Sequence, residues 1–177
     1  MEQLHRIISY NHQHMDMGKK STGQIIASVR DGHLHRRIEE SCPDPFVTVS
    51  LNIDGIQPNC GSNKWIWPIL LVVNELPKRR QFSPENLILS GVWPGPTKPS
   101  RAHMSLFLEP VVTELMRLER GEDFCLLSHS TSSSNVMTRI RVFLIGACCD
   151  QPAQALIQNV SEPIAAFGCG RYEIEGE

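Results

Sequence analysis

The stretch VTVSLNIDGIQPN, residues 47–59, decides the fold class. It starts as an alternation of apolar and polar residues, which is typical of a half-buried strand, and it then reaches Asp54 and Gly55. Asp-Gly after such a run predicts a turn, because glycine supplies a positive φ and the aspartate side chain bonds its own backbone. Whether Asp54 does more than turn the chain depends on the sequence that follows.

Further elements come after this first strand, which we place at 46–53. Strands are predicted at 65–75 and 86–92, and three strands in succession favour an antiparallel meander. A helix is predicted from residue 101 to Gly121, and Pro110 predicts a kink or a new start within it. Its apolar face is formed by Phe107, Val111, Leu115 and Leu118.

A second aspartate ends the next strand. Residues 137–150 contain the run VFLIGACC, which is apolar on both faces as in a central strand covered on both sides, and the run leads to Asp150. QPAQALIQN then predicts a short helix with Pro152 in its first turn. Three strands, a helix, a strand and a helix predict an α/β fold with a ribonuclease H-like mixed sheet.

In that arrangement the first and fourth strands are neighbours, so Asp54 and Asp150 would converge although 96 positions separate them. Hard divalent cations such as Mg²⁺ prefer oxygen ligands, and paired metals stabilise both the attacking and the leaving oxygen of a phosphodiester. Two aspartates and a third acid suit this chemistry.

Several short segments of the sequence resemble those of a known protein family. LNIDGIQPN, WPILLVVNELP, ENLILSGVWPGPTKPS, LEPVVTEL and RVFLIGACCDQPAQALIQN occur in this order over about residues 30 to 176. In order and spacing they resemble the transposase core of CACTA-type (En/Spm-like) DNA transposons and its relatives in animal genomes. The resemblance implies a ribonuclease H-like fold, DNA cleavage and strand transfer with Mg²⁺ or Mn²⁺, and action in the nucleus. It also implies that Asp54 and Asp150 are catalytic metal ligands.

Two features depart from this family. Its third acid lies on a helix well downstream of the second, whereas the acids that follow Asp150 here stand in no matching context; they are Glu162, Glu173, Glu175 and Glu177. A paired-cysteine knuckle is also expected, but only Cys169 is present and Tyr172 stands at the partner position. We therefore expect a truncated, inactive core: a weakly structured segment at 1–45, the core fragment at 46–160 and a cysteine-containing remnant at 161–177.

Composition limits the class of protein. The chain of 177 residues is long enough for one domain, contains no apolar run that could span a bilayer, and lacks a secretory signal at its start. A nuclear or cytoplasmic location is expected. The net charge of −2 argues against strong nucleic-acid binding, but short basic clusters such as KRR at 78–80 could contact phosphates. The expected partner is DNA, bound weakly and without sequence preference.

Other residue types have simpler interpretations. The six cysteines show no disulfide spacing and predict free, buried thiols. The histidines of HQH (12–14) and HLH (33–35) are assigned to the surface, and the three tryptophans to the core. Two alternatives remain open: a non-catalytic DNA- or protein-binding module kept by a host, and another metal-dependent nuclease that uses Asp16 or Asp31.

Overall fold

The structure is a computed structural model that describes residues 2–15, 28–59, 61, 64–127 and 135–160. Five helices and five strands lie in these ranges. The helices are α1 (Glu2–Asn11), α2 (His33–Ser41), α3 (Lys78–Gln81), α4 (Arg101–Glu119) and α5 (Gln151–Gln158). The strands are β1 (Phe46–Ile53), β2 (Trp67–Val73), β3 (Leu87–Trp93), β4 (Glu122–Leu126) and β5 (Val136–Ala147).

The five strands form one sheet in the order β3-β2-β1-β5-β4. β4 and β5 pair antiparallel, with Phe124 opposite Thr138. Bonds from Arg141 N to Pro45 O (3.0 Å) and from Cys148 N to Leu51 O (2.8 Å) advance in the same direction along both segments, as in a parallel pair. The sheet is therefore mixed, and the prediction of an α/β fold is confirmed.

β4 and α4 differ from the prediction. β4 is a strand that the sequence analysis does not predict, and it forms an additional antiparallel edge strand beside β5. α4 continues through Pro110 without a second start, and its buried residues are Met104, Leu115 and Leu118. Gly121, with φ of 94°, follows its end as predicted.

The prediction that β5 is covered on both faces is wrong for the described residues. Ile140 and Val142 are fully buried, but Leu144 is 42% exposed and Met137 is 64% exposed. Burial is limited to Ile140 and Val142 in the middle of the strand, and Leu144 on the same face is already exposed, so the apolar run overstated the burial of β5.

The chain divides into two compact units. The first comprises residues 1–50, 71–88 and 114–146, and the second comprises 51–70, 89–113 and 147–177. Several strands, and α4, contribute residues to both units. No described helix is both long and apolar enough to cross a membrane.

The first unit buries an N-terminal helix that the weak patterning of residues 1–40 did not predict. α1 inserts Leu4, Ile7 and Ile8 into the core, and the ring of His5 stacks on Phe124 of β4 with centroids 4.2 Å apart. These residues recur at helical spacing on one face of α1. The division of the chain at residues 45 and 160 stays a prediction, and the predicted remnant at 161–177 lies outside the described residues.

A buried polar cluster in the same unit connects β1, α2 and the segment that directly follows β2. Glu75 is 3% exposed, and its two oxygens accept hydrogen bonds from the backbone N–H (2.8 Å) and the hydroxyl (2.7 Å) of Thr48. Nε2 of His35 lies 3.4 Å from Oε1 of Glu75, at ion-pair distance but without hydrogen-bond alignment. The surface assignment of His35 is therefore wrong, since this ring is 7% exposed.

Glu75→Ala should destabilise the protein by about 2–4 kcal/mol, because two buried donors of Thr48 lose their acceptor. Glu75→Gln keeps one acceptor oxygen and should cost less. Urea unfolding monitored by circular dichroism measures both losses, with exposed Glu40→Ala on α2 as the control. Equal stability of Glu75→Ala and Glu40→Ala would contradict a structural role for this carboxylate.

Candidate active site

Asp54 follows the last residue of β1 directly, and its side chain is exposed. The chain does not turn there: Gly55 has no positive φ, and the next residue, Ile56, pairs antiparallel with Ile66 through bonds of 2.9 and 3.0 Å. The prediction of a turn at Asp54–Gly55 is wrong, because the chain reverses direction only after Ile56, between the paired residues Ile56 and Ile66.

Gly55 is required for a different reason, namely close packing. A Cβ atom at this position would lie 2.8 Å from Cζ2 of Trp67, whose side chain is 7% exposed. The indole therefore occupies the space that any larger residue would need. The backbone next to Asp54 therefore packs directly on the indole ring of Trp67.

Asp150 stands at the first turn of α5. Its backbone is extended (φ −65°, ψ 166°), and its Oδ1 accepts a hydrogen bond of 2.8 Å from Ala153 N, as an N-cap aspartate does. Pro152 lies in the first turn as predicted. The carboxylate is exposed and keeps lone pairs for a further ligand.

The segment that precedes Asp150 is bonded to the end of β1. Cys148 N donates to Leu51 O at 2.8 Å, the Asn52 side-chain amide donates to Cys148 O, and Ile53 N lies 3.4 Å from Cys149 Sγ. These contacts bring the two aspartates to the same end of the sheet.

Asp54 and Asp150 line one open cavity of about 520 Å³, which lies wholly within the second unit. The other lining residues are Gly55, Trp65, Trp67, Pro96, Thr97 and Lys98. The structure thus brings together the two site residues that the sequence predicted.

The Cys149 thiol interacts electrostatically with both carboxylates. Burial raises the pKa of its thiol, and the charges of Cys148, Asp150 and Asp54 raise it further, while the hydrogen bond from Ile53 N lowers it. A raised pKa leaves little thiolate, which argues against a nucleophilic cysteine. The four described cysteines are free as predicted, but Cys148 is exposed, so its predicted burial is wrong.

Trp65 and Lys98 were not predicted as site residues. Trp65 is 40% exposed, and its backbone N–H bonds Pro96 O at 3.3 Å; a Cβ on Gly95 would lie 2.0 Å from Trp65 O. Lys98 Nζ lies 6.0 Å from the centroid of Trp67. The assignment of Trp65 to the core is wrong, while that of Trp67 is confirmed. The composition of WPGPTKPS does not indicate that this segment contacts Trp65.

The other predicted acids do not extend the site within the described residues. Asp31 belongs to a 3₁₀ turn in the first unit, where its Oδ2 accepts from Ser28 N at 2.8 Å. The remaining candidates lie outside the described residues, as does Cys169; they are Asp16, Glu162, Glu173, Glu175 and Glu177. No group of three or more His, Cys, Asp or Glu in the described ranges is arranged to hold a metal.

A comparison with family models gives a match over residues 33–171 to the family described as Transposase family tnp2. The chain belongs to this transposase family. The match includes Asp54, Asp150 and all the residues that line their cavity. A comparison with curated proteins finds no match.

Gly55→Ala should destabilise this tnp2-family protein by about 1–3 kcal/mol, because the added methyl group overlaps the buried indole of Trp67. Gly146→Ala is the matched control, since a Cβ there meets no atom within 4 Å. Chemical unfolding gives both values, and tryptophan emission reports displacement of the ring. Equal stability of the two variants would show that Trp67 does not restrict this position.

Proposed function

We propose that residues 46–160 derive from the catalytic core of a DDE/D-type transposase with a ribonuclease H-like fold, whose ancestral activity is the cleavage and joining of DNA phosphodiesters, and that this chain is inactive. The observation that carries the proposal is the convergence of Asp54 and Asp150 in one cavity. In a family of transposases, two carboxylates at the ends of neighbouring strands suit metal-dependent phosphodiester chemistry.

The donor set fits Mg²⁺ or Mn²⁺ in type. Both side chains are exposed carboxylates, and hard divalent cations take oxygen ligands. Asp54 and Asp150 would hold the ion, which would stabilise negative charge on the phosphodiester oxygens. The two aspartates supply part of a coordination shell, because the described residues contribute no third acid to the cavity.

The other cavity residues suit a DNA substrate. Lys98 places a cation in the same cavity, and the half-exposed indole of Trp65 offers a flat surface to a base. We propose that these residues position the DNA next to the carboxylates. Such a protein would act in the nucleus, or be retained in the cytoplasm.

A second candidate is a non-catalytic module retained by a host, which binds DNA or protein. The two-carboxylate site favours it, because a metal-dependent transposase site uses three acids. Asp150 would be kept in such a module for its cap of α5 alone.

Metal binding can be tested without activity. At a concentration one hundred times its dissociation constant, an ion that binds only the folded protein adds about 2.7 kcal/mol of stability. Mg²⁺ or Mn²⁺ should therefore raise the melting temperature of wild type, relative to EDTA, more than that of Asp54→Asn or Asp150→Asn. Asparagine also caps helices well, so Asp150→Asn removes the charge and keeps the cap.

Asp123→Asn, which removes an exposed aspartate of β4 outside the cavity, is the matched control for these melts. It should respond to metal as wild type does. Identical metal responses in all four proteins would contradict a site formed by Asp54 and Asp150.

The chain should not nick supercoiled plasmid above the level of an Asp54→Ala, Asp150→Ala double mutant with either metal, because the described residues contribute no third acid to the site. Agarose gels of the relaxed and linear products measure this. Clear cleavage by wild type that the double mutant loses would show that another acid completes the site.

A further inference from the structure

A second cavity, of about 500 Å³, lies wholly within the first unit, beside α1 and the α3 region. Its lining combines two arginines and one glutamate with two amides, a tyrosine and an isoleucine. The lining residues are Arg6, Ile7, Tyr10, Asn11, Arg80, Glu85 and Asn86. None of these residues belongs to the aspartate site, and those of α1 precede the residues matched by the family model.

Two buried amides hold the floor of this cavity. Asn11 and Asn86 are 7% and 5% exposed, and the Nδ2 of Asn11 donates to Oδ1 of Asn86 at 3.2 Å. Nη1 of Arg80 donates to Oδ1 of Asn11 at 3.1 Å, and Nδ2 of Asn86 donates to the Arg80 carbonyl at 3.0 Å. Hydrogen bonds among Asn11, Asn86 and Arg80 therefore hold this part of the cavity together and fix the position of Arg80.

Two cations from separate elements line the cavity: Arg6 of α1, whose Nη2 lies 3.4 Å from Glu85 O, and Arg80 of α3. Arg79 precedes Arg80 in α3. All three arginines are exposed. The guanidinium group matches phosphate geometry and makes two hydrogen bonds to one phosphate.

Large aromatic side chains accompany these arginines. Tyr10 lines the cavity and is 58% exposed, and Phe82, which directly follows α3, is 71% exposed. Exposed aromatic rings beside cations are the combination with which proteins stack unpaired bases while contacting the phosphates between them. A free phosphate would use the arginines only, and duplex DNA presents few base faces for stacking.

Glu85 is the opposing charge in the cavity lining. Hydrogen bonds from its own backbone N–H and from the Ser83 hydroxyl lower the pKa of this carboxyl group. It is thus ionised at neutral pH, but the three arginines outnumber it. The net charge of Arg6, Arg79, Arg80 and Glu85 together is therefore positive.

We propose that this face of the first unit, formed by Arg6, Tyr10, Arg79, Arg80 and Phe82, binds single-stranded DNA through phosphate contacts and base stacking. The proposal deepens the DNA partner of the proposed function, on which it rests. It does not require Asp54 and Asp150 to bind metal, so a test in EDTA separates the two.

The test is fluorescence anisotropy of the full chain in EDTA with a labelled, unstructured single strand of about 16 nucleotides. The same sequence as a duplex is the comparison. We expect tighter binding to the single strand. Tyr10→Ala should weaken it about fivefold or more, whereas Tyr10→Phe, which keeps the ring, should bind as wild type does.

The charge contribution has its own variants. Arg6→Ala/Arg79→Ala should reduce the slope of log K against log salt by about 1.4, since each phosphate contact on a single strand contributes about 0.7. Arg80 is left in place because it anchors Asn11. Arg36→Ala/Arg37→Ala, which removes the same charge from exposed positions of α2, is the matched control and should keep the slope.

Three results would overturn the proposal: equal or tighter binding of the duplex, equal loss in the two double-arginine variants, or unchanged binding by Tyr10→Ala. Circular dichroism melts of each variant show that it is folded. Failure of the metal-dependent melts would leave a positive result here intact, because no metal is present.

Discussion

The hydrogen bond from the Cys148 N–H to the Leu51 carbonyl is the contact on which the candidate active site depends. It joins the end of β1 to the segment after β5. Asp54 directly follows the first of these segments, and Asp150 directly follows the second. A shift of one residue in this pairing would direct alternate side chains to the other face of the sheet. The convergence of the carboxylates therefore follows from strand register, although they are far apart in sequence.

The positions of the two aspartates could be predicted because they depend on local patterns. The alternation of residues 47–53 and the apolar run before Asp150 each indicate where a strand ends. β1 has the predicted bounds, and β5 is its predicted neighbour, although β5 ends at Ala147 and Asp150 is the N-cap of α5. An α/β sheet then leaves few ways to arrange such strands.

The rest of the cavity could not be predicted because it depends on contacts between distant segments. Gly55 looked like a turn glycine, but its role is set by the Trp67 ring, and Trp65 is placed by the loop that contains Gly95 and Pro96. Nothing local distinguishes an exposed tryptophan from a core tryptophan. In the same way, α1 shows its apolar face clearly only once β4 is known to lie against it.

The two aspartates differ in what the fold itself requires of them. Asp150 caps α5, and losing that cap costs about 1 kcal/mol whether or not a metal binds. No comparable hydrogen bond engages the Asp54 side chain in the part of the chain that the structure describes, and the backbone there is positioned by Gly55 and the Ile56–Ile66 pair. A protein that had lost catalysis could keep Asp150 for stability, but it would have little structural reason to keep Asp54. The properties of Asp54 therefore discriminate most sharply between a metal site and a retained scaffold.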